Sequence, residues 1–248
     1  MIRYLASRAV QSALILLGVT FITFLLLFVL PADPVRQIAG RSATAATVES
    51  IRHQLGLDQP FFVQYGRYLW GLLHGDLGRS FLQKTDVSTL IFSRLPASLL
   101  LMCAGIFCEL LIGLTMGIAA AVFRGRWVDH VLMVFSFITV SAPQFVVSLL
   151  MLYVFSVWLG WFPIGGYGTA AHLVLPALTL GLLGSGWYAR MMRSSMIDIL
   201  HADFIRTARA KGLSKYRVIL DHAVPNAILP IVAMIGIDIG IFMGGIVV

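Results

Sequence analysis

The sequence predicts an all-α protein, built as a polytopic bundle of transmembrane helices. Of its 248 residues, 59% are hydrophobic and only 12% are charged, whereas about 25% of the residues in soluble domains are charged. The mean hydropathy is +0.91. Apolar runs recur that match the roughly 20 helical residues needed to cross a hydrocarbon core of about 30 Å. We therefore expect five spans, at residues 10–30, 98–123, 131–159, 172–187 with an extension to 192, and 227–248.

The first apolar run is interpreted as a retained helix rather than a cleaved signal peptide. It is longer than the 7–15 residue apolar region of such peptides, and it lacks a convincing cleavage site. Basic residues in short loops mark the cytoplasmic side. Arg3 and Arg8 precede the first span and Arg124 and Arg126 follow the second, whereas the loop at 160–171 has no Lys or Arg. We expect a cytoplasmic N-terminus and an outer C-terminus.

The predicted spans divide the chain into three parts. Residues 1–30 are an N-terminal segment with the first span. Residues 31–96 form an extracytoplasmic segment, because loops of that length translocate largely regardless of charge. Residues 97–248 contain the remaining spans, together with a cytoplasmic hairpin at 194–226.

Two helices are predicted in the extracytoplasmic segment. The first covers residues 47–55, with Thr44 or Thr47 as the N-cap and Gly56 as the stop signal. The second covers residues 61–73, where aromatic and aliphatic residues recur near helical spacing. The segment is therefore expected to be a small helical cap rather than a disordered loop.

The cytoplasmic hairpin contains the sequence DFIRTARAKGLSKYRVILDHAVPNAILP, residues 203–230. Asp203 is predicted to cap a helix that follows it, where its charge also suits the helix dipole. Gly212 is predicted to end that helix, since glycine adopts the left-handed conformation at little cost. Ser214 is the expected cap of the next short helix. This pattern indicates a stiff helical hairpin.

Glycines recur in the predicted spans, and small residues allow helices to approach closely. They either pack helices together or line a pore, and the sequence leaves both interpretations open. The glycines concerned are Gly113 and Gly117 in the second span, Gly181 and Gly186 in the fourth, and Gly236, Gly240, Gly244 and Gly245 in the fifth.

Three other polar or helix-breaking residues lie within the spans. Glu109 is in the middle of the second span and Asp238 in the middle of the fifth. Ionisable groups at bilayer depth are costly, so each is expected to line a passage or to be a protonated carboxyl bonded to a neighbouring helix. Pro143 interrupts the third span, where it is expected to kink the helix as a gating hinge or as a plain structural feature.

Several classes of function are excluded or disfavoured. The net charge of +7 does not indicate a nucleic-acid partner, because the basic residues are divided between both membrane faces. Cys103 and Cys108 fall on different helix faces, beyond disulfide reach. No metal site or cofactor is predicted, and the absence of a GxxxxGK[ST] loop excludes ATP hydrolysis by this chain. An intramembrane hydrolase would use Ser185, but Leu183 stands where a GxSG motif needs glycine. A passive channel or scaffold would not need the basic hairpin.

The stretch RTARAKG, followed by HAVP, resembles the EAA loop of bacterial ABC-importer permeases. Arg206, Thr207 and Ala208 occupy the E-A-A positions, Gly212 the glycine position, and Pro225 the end of the closing L-P pair. The departures at Arg206 and Thr207 are those of the dipeptide, oligopeptide and nickel permease subfamily. LPADPV, LGLDQPFFVQYGRYLWGLLHGDLGRSF and ARMMRSSMIDIL resemble further subfamily segments in the same order, so the resemblance covers nearly the whole chain.

This resemblance implies the type I ABC importer permease fold, in the bacterial inner membrane. The implied partners are a second, similar permease, two ATPase subunits and an extracytoplasmic solute-binding protein. Ile205, Ala208 and Leu213 are expected to supply the surface that docks on an ATPase, while the basic residues either meet acidic groups or stay solvated. The expected coupling residues are Asp203, Ile205, Arg206, Thr207, Ala208, Arg209, Lys211, Gly212, Leu213 and Pro225.

The resemblance also implies a passage for a solute. The cargo is expected to be a dipeptide or oligopeptide, with nickel chelates, glutathione or opines as alternatives, and a negative Asp238 would favour a cationic group. The family continues beyond the equivalent of Val248 with a further span, so the last span is expected to be missing. The expected pathway residues are Asp238, Glu109, Pro143, Gly236 and Gly240.

Overall fold

The computed structural model describes residues 1–29, 35, 44–80 and 83–245. The predicted LPADPV match and the last three residues of the fifth predicted span therefore fall largely outside the described residues. In the described part, the chain is helical, in agreement with the predicted all-α class. The helices are α1 Ile2–Val29, α2 Ala45–Leu55, α3 Phe61–Leu73, α4 Val87–Val122, α5 Trp127–Ser141, α6 Gln144–Trp158, α7 Ala170–Leu200, α8 Asp203–Ala210, α9 Lys215–Ala227 and α10 Leu229–Gly245.

The chain divides into two compact units, residues 1–94 and residues 95–248. In the first unit, α1 packs on α3 through aromatic rings. Phe21 meets Phe61 and Tyr65 edge to face, with ring centroids 5.8 and 5.4 Å apart. The hydroxyl groups of Thr20 and Tyr65 are 3.1 Å apart. These contacts attach the first apolar helix to the predicted helical cap.

Both helices predicted in the cap segment are confirmed. The α2 helix starts after Thr44, whose hydroxyl accepts a hydrogen bond from the backbone N–H of Thr47 at 3.3 Å. It ends at Gly56, which adopts φ 67°. The boundaries of α3 agree with the predicted range. Capping chemistry thus sets this local structure.

The second unit is arranged around α7, against which α4, α5, α6, α9 and α10 pack. Its core is a cluster of small and flexible apolar side chains from five helices. The cluster consists of Ala121, Tyr188, Met192, Met196, Ile205, Ala208, Val218, Ala223, Ala227 and Ile231.

Three described helices, α1, α4 and α7, are long and apolar enough to cross a membrane singly. The third predicted span corresponds to the bent pair α5 and α6, which meet at 102°. The fifth corresponds to α10, which meets the preceding α9 at 48°. The described residues thus hold up to five spans when each bent pair is counted as one. The predicted interruption at Pro143 is confirmed as a break, since Ala142 and Pro143 are extended with ψ 130° and 127°.

Two features of these pairs were not predicted. The last six residues of α6, Tyr153–Trp158, form a π-helical turn, and so do Val218–Ala223 within α9. The first π-helical turn ends α6, and the second lies inside α9. Sequence periodicity does not reveal them, because one additional residue per turn leaves the apolar character of the segment unchanged.

Candidate functional site

The cytoplasmic hairpin predicted from the sequence is formed by α8, a tight turn and the start of α9. Asp203 is the first residue of α8 rather than its N-cap, which is Ala202, so the predicted capping role is wrong. The Asp203 carboxylate pairs with Arg206 at 3.3 Å on the surface. Gly212 has φ +76°, and the Ser214 hydroxyl accepts a hydrogen bond from the N–H of Arg217 at 3.4 Å. The predicted stop and second cap are confirmed.

The inner face of α8 is buried in the chain's own core. Ile205 is 0% exposed and Ala208 is 6% exposed. They belong to the cluster that contains Met192 and Met196 of α7 and Ile231 of α10. The prediction that Ile205 and Ala208 supply a docking surface therefore needs correction, because their side chains are already covered. Leu213 is half-buried against the same cluster.

The outer face of the hairpin carries charged and aromatic side chains. Phe204 is 43% exposed and Tyr216 is 72% exposed, and neither was predicted as a site residue. The sequence does contain a signal for the exposure of Phe204. Ile205 and Ala208 are three residues apart and share one face of the helix, and Phe204 lies outside that face. The remaining predicted coupling residues are exposed: Asp203, Arg206, Thr207, Arg209, Lys211, Gly212 and Pro225.

A second polar site lies among α4, α7 and α10. Glu109 of α4 is 3% exposed, and its carboxyl group lies next to that of Asp238 on α10. Tyr188 of α7 donates its hydroxyl proton to Oδ2 of Asp238. Gly184 of α7 makes room for Glu109, because a Cβ at that position would collide with Oε1. The structure thus joins two residues that the sequence had indicated separately, and it adds Tyr188 and Gly184.

The other pathway candidates do not join this cluster. Gly236 and Gly240 are exposed, and no atom of the described residues lies within 4 Å of where their Cβ would be. Residues two apart on a helix point in directions roughly 200° apart, so Asp238 faces α7 while these glycines lie on the other side. Pro143 is exposed at the break between α5 and α6. Among the described residues, the fifth-span glycines therefore make no close helix contact, so the packing interpretation is not supported for them.

An ion pair that sequence reasoning missed connects α5 to α7. Arg193 donates from Nε and Nη2 to the two carboxylate oxygens of Asp129, at 2.6 and 2.7 Å. Asp129 also accepts from the backbone N–H of Gly125 at 3.0 Å. Nearby, the guanidinium of Arg190 lies over the ring of Trp187 at 4.5 Å. The sequence feature that could have indicated this ion pair is Asp129, an aspartate in the first turn of a mostly apolar helix.

One cavity of about 370 Å³ lies beside α6 and α7, under the segment 163–166. Its polar lining includes Gln144, Ser148, His172 and Thr179. The hydroxyls of Ser148 and Thr179 donate to backbone carbonyls of their own helices, at 2.8 Å each. The cavity thus offers few polar groups that are free to bind a ligand.

The described residues include no group of three or more His, Cys, Asp or Glu side chains able to hold a metal ion. Cys103 and Cys108 are both free, as the sequence predicts. Ser185 is fully buried, and its hydroxyl donates to the carbonyl of Leu182 at 2.7 Å. A serine in this position is not accessible to a substrate, which argues against a hydrolase.

Comparison with known proteins decides the family. Residues 113–248 match the model of the binding-protein-dependent transport system inner membrane component, and residues 1–102 match the model of its N-terminal part. The chain belongs to this family. It is thus an ABC-importer permease, a transport subunit of the inner membrane rather than an enzyme.

Relatives of this permease align along nearly its whole length. The glutathione transport system permease protein GsiC of Salmonella paratyphi A is 42% identical over 100% of this chain and 81% of its own length. GsiC of Salmonella typhimurium is 41% identical with the same coverage. A protein of Brucella abortus named as a peptide transport system permease is 43% identical over 97% of this chain and 79% of its own length.

Proposed function

We propose that this permease forms part of the inward passage for dipeptides or oligopeptides delivered by an extracytoplasmic binding protein. It pairs with a second, similar permease, and the pair sits on two ATPase subunits that hydrolyse ATP. The cytoplasmic hairpin of this chain docks on one of them. Its N-terminus lies in the cytoplasm. Glutathione, itself a tripeptide, is the second candidate cargo, because relatives over 40% identical carry that name.

The observation that carries this proposal is that the hairpin has one face buried in the core and one exposed face with basic side chains. Residues 203–217 hold five basic side chains and one acidic side chain. Among the described residues, only Arg206 of the five forms an ion pair, with Asp203. The other four cations, Arg209, Lys211, Lys215 and Arg217, suit an acidic surface on the partner.

Charge alone gives such a contact little affinity, because exposed ion pairs contribute only about 0–1 kcal/mol each. The exposed rings of Phe204 and Tyr216 supply the apolar contact area that dominates most interfaces. We therefore assign these two rings as anchors of the docking surface and the surrounding cations as its rim.

The buried face of α8 connects this surface to the membrane helices. Ile205 and Ala208 pack in one cluster with residues of α7 and α10. Because a packed core resists deformation, a displacement of α8 moves the neighbouring helices with it. Gly212 gives the tight corner that keeps the hairpin compact. ATP-driven motion of the partner is thereby transmitted to the passage.

Co-purification tests the docking step. The double variant Phe204→Ala/Tyr216→Ala should retain the fold, since both rings are exposed, and should lose most of the ATPase that co-purifies with the tagged permease. Trp158→Ala is the matched control, because Trp158 is 73% exposed at the other end of the bundle. Unchanged ATPase recovery in the double variant would overturn the assignment of the docking surface.

The cargo is tested separately. Purified binding protein from the same transport system should retain a dipeptide or glutathione in equilibrium dialysis, and cells with the complete transporter should take up the retained solute. Retention of a solute without a peptide bond would contradict the proposed cargo without affecting the docking result.

A further inference from the structure

The membrane-embedded cluster of Glu109, Tyr188 and Asp238 has an arrangement that two ionised carboxylates do not satisfy. An ionised carboxylate only accepts hydrogen bonds. Tyr188 supplies one donor, which goes to Asp238. Oε2 of Glu109 is buried and has no donor among the described residues. The carboxyl group of Asp238 lies next to it, so a proton held between the two carboxyl groups supplies the donor that is missing.

The surroundings provide no counter-charge for a second negative charge. From α4, the nearest titratable neighbour of Glu109 is the thiol of Cys108, and α7 contributes the phenol of Tyr188. Asp238 is the sole charged residue of α10 in the range Leu229–Gly245. The nearest basic residues of α7 are engaged elsewhere: Arg193 pairs with Asp129, and Arg190 lies over Phe137 and Trp187.

Electrostatics favours a proton, rather than a metal ion, between the two carboxyl groups. Two like charges in contact in a low-dielectric interior repel strongly, and one shared proton removes the repulsion and adds a strong hydrogen bond. A metal ion would need further ligands, and no third carboxylate, histidine or thiolate completes a metal-binding group in the described residues. The Glu109 carboxyl lies against α7 at Gly184, in space that a Cβ at that position would fill.

We propose that Glu109 and Asp238 form a membrane-embedded binding site for one proton, shared between their carboxyl groups. The bound proton joins α4 to α10, and the Tyr188 hydroxyl ties the same site to α7. Removal of the proton leaves two adjacent carboxylates, and their repulsion weakens the connection between α4 and α10. The site is thus a polar connection between three helices whose strength depends on proton occupancy.

Infrared spectroscopy of the full chain in lipid nanodiscs tests this proposal. At neutral pH, the wild-type chain should show the carbonyl stretching band of one protonated carboxylic acid, and exchange into heavy water should shift it. Glu109→Gln should remove the band. Asp238→Asn should keep it at a shifted frequency, because the buried Glu109 carboxyl stays uncharged and its proton then bonds to the new amide. Tyr188→Phe should move the band without removing it.

Asp203→Asn is the matched control, since the Asp203 carboxylate is exposed and ion-paired; this variant should keep the band. The isotope shift in the wild-type chain needs no substitution, so a variant that fails to fold leaves the test decisive. The proposal is overturned if the wild-type chain lacks the band at neutral pH, if Glu109→Gln retains it, or if Asp238→Asn leaves its frequency unchanged.

Discussion

The glycines of α4 and those of α10 have similar spacing but opposite environments. A Cβ on Gly117 would lie 2.6 Å from the carbonyl oxygen of Ala189 and 2.7 Å from Cβ of Met192. A Cβ on Gly240 would meet no atom within 4 Å. The comparison shows that a small-residue repeat permits close approach of helices, while only the facing helix determines whether that approach occurs.

The two helices are also attached to α7 in different ways. Backbone atoms of α7 lie directly against the glycines of α4. The α10 helix is held through Ile231 in the core and through the hydrogen bond from Tyr188 to Asp238. Side-chain contacts are easier to exchange than backbone contacts, so α10 is the helix better suited to move relative to α7.

The largest expected effect comes from a large side chain at the close contact between α4 and α7. Gly117→Leu should abolish the cooperative thermal unfolding of the detergent-solubilised chain, because the leucine side chain must displace α7. The loss of stability should exceed the roughly 1–3 kcal/mol that overpacking typically costs. Gly240→Leu is the matched control and should unfold like the wild-type chain. Equal loss of stability in both variants would refute the distinction between a closed and an open glycine face.

A smaller effect is expected at the ion pair that fastens α5 to the other side of α7. Asp129→Asn should lower the free energy of unfolding by about 3 kcal/mol, the lower end of the range for breaking a buried pair, because Arg193 is partly exposed. Tyr188→Phe, which removes one hydrogen bond to α10, should cost only about 1–2 kcal/mol. Chemical denaturation of both variants measures the difference. The reverse order would show that α10 is the more firmly attached helix.

The smallest expected effect distinguishes two reasons for a glycine: the space around it and its backbone conformation. Gly212, like Gly240, has no atom within 4 Å of the position that a Cβ would take, but it has φ +76°. Gly212→Ala should therefore destabilise the hairpin by about 1–2 kcal/mol, the cost of a left-handed alanine. The readout is the rate of tryptic cleavage after Arg209 and Lys211, which should rise.

Two further variants control that experiment. Gly212→Asn should be cleaved more slowly than Gly212→Ala, since asparagine tolerates the left-handed region. Gly240→Ala should leave the cleavage rate unchanged. Identical rates for all Gly212 variants would mean that the left-handed turn does not determine the stability of the hairpin.

Much of the fold follows from the sequence because local chemistry determines it. Thr44 and Gly56 delimit α2 through capping, and Pro143 predicts the break after α5. The angle at that break depends on what packs around it, which composition does not encode. The cap of α8 was assigned one residue late, because the cap is set by the backbone angles of Ala202.

The functional residues were predictable only as individual residues. Glu109 and Asp238 are each conspicuous in an apolar helix, but their contact depends on how α4 and α10 are placed around α7. Ile205 and Ala208 were assigned to a partner surface because their apolar character is visible in the sequence. The core that covers them comes from helices distant in the chain, so their burial is a tertiary property.

Tyr188 takes part in both functional regions of the molecule. Its ring lies in the same apolar cluster as Ile205 of α8, and its hydroxyl donates to Asp238. A shared structural element offers a route for coupling between two equilibria, and thermodynamics requires any such coupling to be reciprocal. If docking on α8 changes the proton affinity of the carboxyl pair by some factor, the proton changes the docking affinity by the same factor. Acidity would then act as an effector of ATPase docking from within the membrane.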